Sequence, residues 1–446
     1  MTTTILIKEA LLVNEGQTQT ADVLIKNGRI EQIGQQITAN QAQVIEAGGL
    51  YLLPGMIDDQ VHFREPGVTY KADLATESRA ALAGGITSFF DMPNTKPQTI
   101  SCEALEAKFA LAAGRTWGNH AFYLGGTNDN IDEIRRLRPG QTCGIKVFMG
   151  ASTGNMLVDD PATLDLIFRD APTLIATHCE DTPTIQANEA RYRAQYGNEI
   201  PVIHHPQIRS EQACWASSSM AVDLAKQHGT RLHVLHLTTA KELVLFTPGP
   251  LEGKQITSEA CLHHLYFCAD DYVERGSFIK CNPAIKQASD RAALRKALAE
   301  DRLDIVATDH APHTLAEKQG SNYFQTPAGL PLVQHAVPIA LELVHQQHLS
   351  LPQMVHKMAH APALLFGIQE RGFLREGYWA DMILVDPNNP QPVTSDQVLY
   401  KCGWSPLEGD TFQHTVVKSF VNGELKYDQG NFIGAPNGQR LAFRSK

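Results

Sequence analysis

The feature that most constrains this chain is a regular alternation in its middle. Short apolar runs recur at 85–92, 120–125, 144–149, 173–178, 231–237, 255–260 and 303–309, and an earlier one ends at Val61-His62. Between most of them lie stretches with apolar residues at helical spacing, at 76–82, 102–113, 211–228 and 290–299. Strands separated by helices pair in parallel, because each helix carries the chain back to the end where the next strand begins. The eight runs predict a closed (β/α)8 barrel of the TIM type over residues 54–364. An open doubly wound sheet is the competing α/β arrangement. It lacks support, since no G-x-G-x-x-G follows a predicted strand and no P-loop occurs.

The two ends of the chain follow a different rhythm. Val23-Leu24-Ile25-Lys26 and Ile30-Glu31-Gln32-Ile33 flank Asn27-Gly28, a hairpin signal, and Phe420-Val421 meets Glu424-Leu425-Lys426-Tyr427 across Asn422-Gly423 in the same way. Asp381-Met382-Ile383-Leu384-Val385 reads as a further strand. The expectation is a small β-sandwich domain built from both termini, residues 1–53 plus 365–446, with the barrel inserted between them.

Composition narrows the function classes. The chain has 446 residues, 43% of them hydrophobic and 19% charged, which is globular rather than disordered. Its 38 basic and 48 acidic residues leave a net charge of −10 without a basic run, which argues against nucleic acid and anionic membranes as partners. The N-terminus has no basic segment followed by an apolar one, and no run of 18 apolar residues occurs. The eight Cys are scattered without a C-x-x-C pair, so they read as reduced, small buried hydrophobes in a cytoplasmic protein.

Chemistry in such a barrel gathers where the strands end at their C-terminal side. The first run ends in Gln60-Val61-His62-Phe63-Arg64, the second leads into Asp91-Met92-Pro93-Asn94, and the fourth carries Lys146. The fifth ends at His178, the sixth at His236, and the last at Asp309 within Thr308-Asp309-His310-Ala311-Pro312-His313. Three imidazoles and a carboxylate from separate strands form a set of N and O donors suited to a metal. Lys146 interrupts an apolar run, and a buried lysine is costly unless paired or modified. A neutral lysine can combine with carbon dioxide, and the resulting carbamate could bridge two metals.

Five segments then resemble the motifs of dihydroorotases in the amidohydrolase superfamily, a family of cyclic amidohydrolases. They are the segment from Gly55 to Gly67, Asp91-Met92-Pro93-Asn94-Thr95, Thr177-His178-Cys179-Glu180-Asp181, Cys281-Asn282-Pro283-Ala284 and Ala307-Thr308-Asp309-His310-Ala311-Pro312-His313. Phe373-Leu374-Arg375-Glu376-Gly377 with Ala380-Asp381 looks like the superfamily's return into its β-sandwich. The resemblance implies reversible cyclisation of N-carbamoyl-L-aspartate to L-dihydroorotate in pyrimidine biosynthesis. It implies zinc, one or two ions per chain, held by His62, His178, His236 and Asp309 with carbamylated Lys146 as the bridge. A hydroxide generated by the metals would be the nucleophile and Asp309 the general acid and base. Arg64, Asn94, Asn282 and His313 fall on substrate positions, and a guanidinium fork suits the substrate's free carboxylate. Lysine rather than aspartate at position 146 places the chain nearer to hydantoinases and the animal enzyme. The implied assembly is a homodimer, with aspartate transcarbamoylase as a possible partner.

One departure matters. The family motif is His-x-His, and its first position here is Gln60, a weaker zinc donor than imidazole. That motivates one alternative, a catalytically silent partner of aspartate transcarbamoylase; a second is a sister cyclic-amide hydrolase, allantoinase or hydantoinase, from which Arg64 separates the dihydroorotase reading. The polar segment 314–326, just after His313, is the candidate lid over the site.

Overall fold

The computed structural model describes residues 4–150, 152, 154–320 and 322–444. Its centre is a parallel barrel. The strands are Met56–Val61, Ile86–Asp91, a third in two pieces (Asn119–Phe122 and Leu124–Gly125), Ile145–Phe148, Ile175–His178, Leu232–Val234, Ile256–Cys261 and Ile305–Ala307. The first three pair in that order, and a run of six parallel segments continues from Leu124–Gly125 to Ile305–Ala307. Tyr123 joins the two pieces of the third strand. The ring closes where Val61 bridges His310 and the His62 amide donates to the His310 carbonyl at 2.7 Å.

Nearly every barrel-strand residue is buried, as expected of strands covered by helices outside and packed side chains inside. Burying each Val, Leu, Ile or Phe contributes about 1.5–3 kcal/mol. The helices start where the sequence offers a cap. Asp73, Ser101, Asp160, Asp181 and Ser210 each accept a backbone N–H in the first turn of the following helix. The helix Glu211–His228 stops at Gly229, whose φ of 70° is open to glycine at little cost.

Both termini meet in one nine-stranded sheet. Its N-terminal strands are Ile5–Asn14, Gln17–Lys26, Arg29–Gly34, Gln43–Glu46 and Tyr51–Pro54. Its C-terminal strands are Met382–Asp386, Thr415–Val421, Glu424–Asp428 and Asn431–Phe432. The two sets join where Met382–Asp386 runs antiparallel to Tyr51–Pro54. The predicted turns form as hairpins: Asn27-Gly28 has φ of 54° and 80°, and Asn422-Gly423 has 53° and 76°. Ile7, Val23, Ile25, Leu52, Met382 and Phe420 form a separate core for this sheet. No helix among the described residues is long and apolar enough to cross a membrane.

Candidate active site

The predicted residues converge on the C-terminal mouth of the barrel, and three of them sit on strained backbone. Arg64, His236 and Asp309 have φ of 66°, 39° and 48°, in the left-handed region that side chains with a Cβ seldom adopt. Each lies just beyond the end of its strand, so the turn re-aims the side chain across the opening. Simple alternation along a strand therefore does not explain Arg64, because the strand has already ended at Val61.

On one wall His178 Nδ1 faces His236 Nε2 at 2.9 Å, and His178 Nε2 meets Glu180 Oε2 at 2.9 Å. Arg209 clasps the same carboxylate oxygen. Burial opposes ionisation of Glu180, but Arg209 and His178 outweigh it and bring its pKa down to about 2. Burial also lowers the pKa values of His178 and His236, against the pull of Glu180 on the first, so both imidazoles are neutral donors for a cation.

On the other wall His62 Nδ1 meets Asn94 Oδ1 at 2.8 Å, and His62 Nε2 meets Asp309 Oδ1 at 3.1 Å. The ring thus spans the amide of Asn94 and the carboxylate of Asp309. Gln60 Nε2 donates to the same Asp309 oxygen at 3.2 Å. Burial pushes the Asp309 carboxyl up, yet His62, His263 and Lys146 together hold it below its ordinary value.

Between the walls Lys146 is fully buried, and its Nζ finds no hydrogen-bond partner. Burial lowers its pKa to about 8, with Asp309 and Glu259 resisting. An orphaned amine among imidazoles and a carboxylate is a donor set that fits divalent metal binding.

The expected substrate residues divide. Arg64 donates through Nε to the Pro312 carbonyl at 3.0 Å and lies 3.2 Å through Nη2 from His313 Nε2. Asn94 is engaged with His62, so its carbonyl orients that ring. Asn282, on a cis Asn282–Pro283 peptide, keeps a buried Oδ1 without a partner and is not tied to the others. His313 is turned from the centre toward Arg64 and Lys71, the latter 2.8 Å from its Nδ1. The candidate lid is anchored rather than free, with Ser321 outside the described residues. Lys318 donates to the carbonyls of Lys280, Pro327 and Gly329, and Lys280 donates to those of Tyr323 and Thr326.

Other residues at or near the site were not foreseen. Glu180 stands two residues after His178 inside a quoted motif, and its same-side spacing was a readable signal. Lys71 gave none. Two compact groups of metal-competent side chains also lie close by: Asp59, His233 and Glu259 in the barrel interior, and Cys261, His263 and His264 where the seventh strand passes into a helix. In the first, burial raises Asp59 well above the usual carboxylate range and Glu259 to about 8.

Comparison with known proteins places this arrangement in a class. The amidohydrolase family matches residues 51–426, and the chain belongs to that family. It is 31% identical over 431 residues to an allantoinase of Bacillus velezensis, covering 96% of this chain and 94% of that protein. It is 32% identical over 441 residues to a dihydroorotase of Halobacterium salinarum, covering 98% and 99%. The L-hydantoinase of Arthrobacter aurescens superimposes with a TM-score of 0.91 at 25% identity, covering 99% of this chain and all of that one, 100%. The expected barrel class and the resemblance to dihydroorotases both agree with these relatives.

Proposed function

We propose that the chain is a zinc-dependent dihydroorotase that interconverts N-carbamoyl-L-aspartate and L-dihydroorotate. The observation that carries the choice of substrate is the cationic rim beside Asp309. Arg64 and Lys71 lie on either side of His313, at 3.2 and 2.8 Å from its two ring nitrogens. Dihydroorotate brings a free carboxylate to this rim, whereas allantoin and simple hydantoins bring none. Lys71 is paired with Glu317 at 2.8 Å, so the Arg64 guanidinium is the cation that favours the charged substrate over its neutral cousins.

Lys146, His178, His236, His62 and Asp309 would hold the metal. Zinc, when bound, supplies an activated water and polarises the ring carbonyl. The remaining work belongs to the side chains. Burial leaves part of Lys146 as neutral amine near pH 8, the form that adds carbon dioxide and releases a proton to give the carbamate. Asn94 fixes the His62 ring. Asp309, held ionised, accepts the proton of the attacking water and delivers it to the departing amide nitrogen. In the reverse direction it takes a proton from the ureido nitrogen as that nitrogen attacks the side-chain carboxyl carbon, and water leaves. A silent scaffold for aspartate transcarbamoylase would have no use for an orphaned lysine and three re-aimed side chains at one mouth.

The test is turnover of dihydroorotate, allantoin and hydantoin by the zinc-loaded protein, with Arg64→Ala beside it. Dihydroorotate should be preferred, and Arg64→Ala should remove that preference. Faster turnover of allantoin or hydantoin, or an unchanged Arg64→Ala profile, overturns the assignment.

A further inference from the structure

The seventh barrel strand ends in the thiol of Cys261, and the helix Leu262–Tyr266 that follows at once carries His263 and His264. All three side chains are buried, at 0, 0 and 3% exposure. Their nearest donor atoms all lie within 4.8 Å of one another, and the two rings are 3.9 Å apart at their centroids. Both ring nitrogens of His263, and Nδ1 of His264, lack any hydrogen-bond partner. A neutral imidazole always carries one N–H, and leaving such a group buried and unpaired is unfavourable. That of His264 is met by the Pro283 carbonyl, 3.0 Å from Nε2, whereas that of His263 has no partner. His263 with neither ring nitrogen satisfied, beside the free Nδ1 of His264 and a thiol, therefore calls for an occupant.

The thiol is oriented as well. Cys261 Sγ lies 3.6 Å from Gln60 Oε1 and 3.8 Å from Glu259 Oε1. Gln60 sends its Nε2 the other way, to Asp309 at 3.2 Å. Its amide thus presents a donor to the catalytic mouth and an oxygen to the thiol cluster.

We propose that Cys261, His263 and His264 form a separate thiolate–imidazole site for a zinc-class divalent cation, with the Gln60 amide oxygen as a fourth donor. Binding exchanges the thiol proton for the metal: Cys–SH and the cation give the thiolate complex and a proton released to solvent. One sulfur and two nitrogens select zinc or its cobalt substitute over magnesium and calcium, which take oxygen. The site goes beyond the hydrolase reading and does not rest on it. It also gives Gln60 a second role beside its hydrogen bond to Asp309 in the mouth.

The test uses the full chain loaded with cobalt and, separately, with zinc. Wild type should show a sulfur-to-cobalt charge-transfer band, and zinc X-ray absorption should find a sulfur neighbour at about 2.3 Å. Cys261→Ser should abolish both signals and lower the metal content by one ion per chain, whereas Lys146→Ala should keep the cobalt band. Absence of sulfur scattering in wild type overturns the site, as does a band or full metal content that survives Cys261→Ser. Should Cys261→Ser fail to fold, the wild-type zinc spectrum decides alone. Loss of dihydroorotate turnover with the band intact counts against the hydrolase reading and leaves this site standing.

Discussion

The two walls of the mouth carry the same kind of side chain on different supports. His178 is backed by Glu180, and Glu180 by Arg209, all buried or nearly so. His62 is backed by the neutral Asn94 and shares Asp309 with Gln60. Both partners orient the imidazole behind which they sit, but a carboxylate raises its basicity more than a neutral amide does. The His178 wall is therefore the more firmly backed of the two, and the His62 wall leans on Asp309 itself.

The comparison breaks most sharply at Asp309, which serves the weaker wall and the proton transfer together. Asp309→Asn should lower kcat by about 10²–10⁴-fold, the usual worth of a positioned acid or base. Circular dichroism should show the fold intact. A loss under tenfold would move proton transfer to another group.

The strong wall is next. Glu180→Gln should weaken metal affinity by about 10–100-fold, the usual effect of removing a carboxylate behind a ligating histidine. It also strands Arg209, since breaking a buried ion pair from one side costs about 3–5 kcal/mol. Competition with a chelator reads the first effect and chemical denaturation the second. The converse change on the weak wall, Gln60→His, should tighten metal retention by about tenfold, within the range such supporting changes span. Unaltered retention would mean that the weak wall does not limit binding.

The unequal support explains what the sequence revealed. Strand order and the hairpins were legible because they depend on local periodicity and on Asn-Gly turns, and the helix 211–228 matches Glu211–His228 residue for residue. His62, Lys146, His178, His236 and Asp309 were legible because polar residues ending apolar runs are conspicuous. Lys71 and Arg209 were not. Each reaches the site from a helix or loop whose placement follows from tertiary packing, and neither interrupts an apolar pattern. Cys261 was read as an inert buried hydrophobe, since a lone thiol carries no signal until His263 and His264 are seen folded against it.

A smaller effect is expected at Lys71, which lies 2.8 Å from both His313 and Glu317. Lys71→Met should raise the KM for dihydroorotate several-fold with little change in kcat, because it removes ground-state attraction and no proton transfer. An effect confined to kcat would tie Lys71 to the chemistry.

The last effect concerns pH, and it isolates the strong wall in metal-free protein. The folded state holds Glu180 near a pKa of about 2, against 4.5 for an ordinary glutamate. Between those values the unfolded chain binds the proton and the folded one does not, so stability rises with pH across that window. The contribution is complete above 4.5 and disappears as pH falls toward 2. Glu180→Gln has no such proton to bind. Denaturant midpoints of wild type and variant should therefore differ most near neutrality and converge as acid is added. Parallel curves down to the acid limit would show that Glu180 holds the wall by shape and hydrogen bonding rather than by charge. The strong wall would then differ from the weak one only in the number of its contacts.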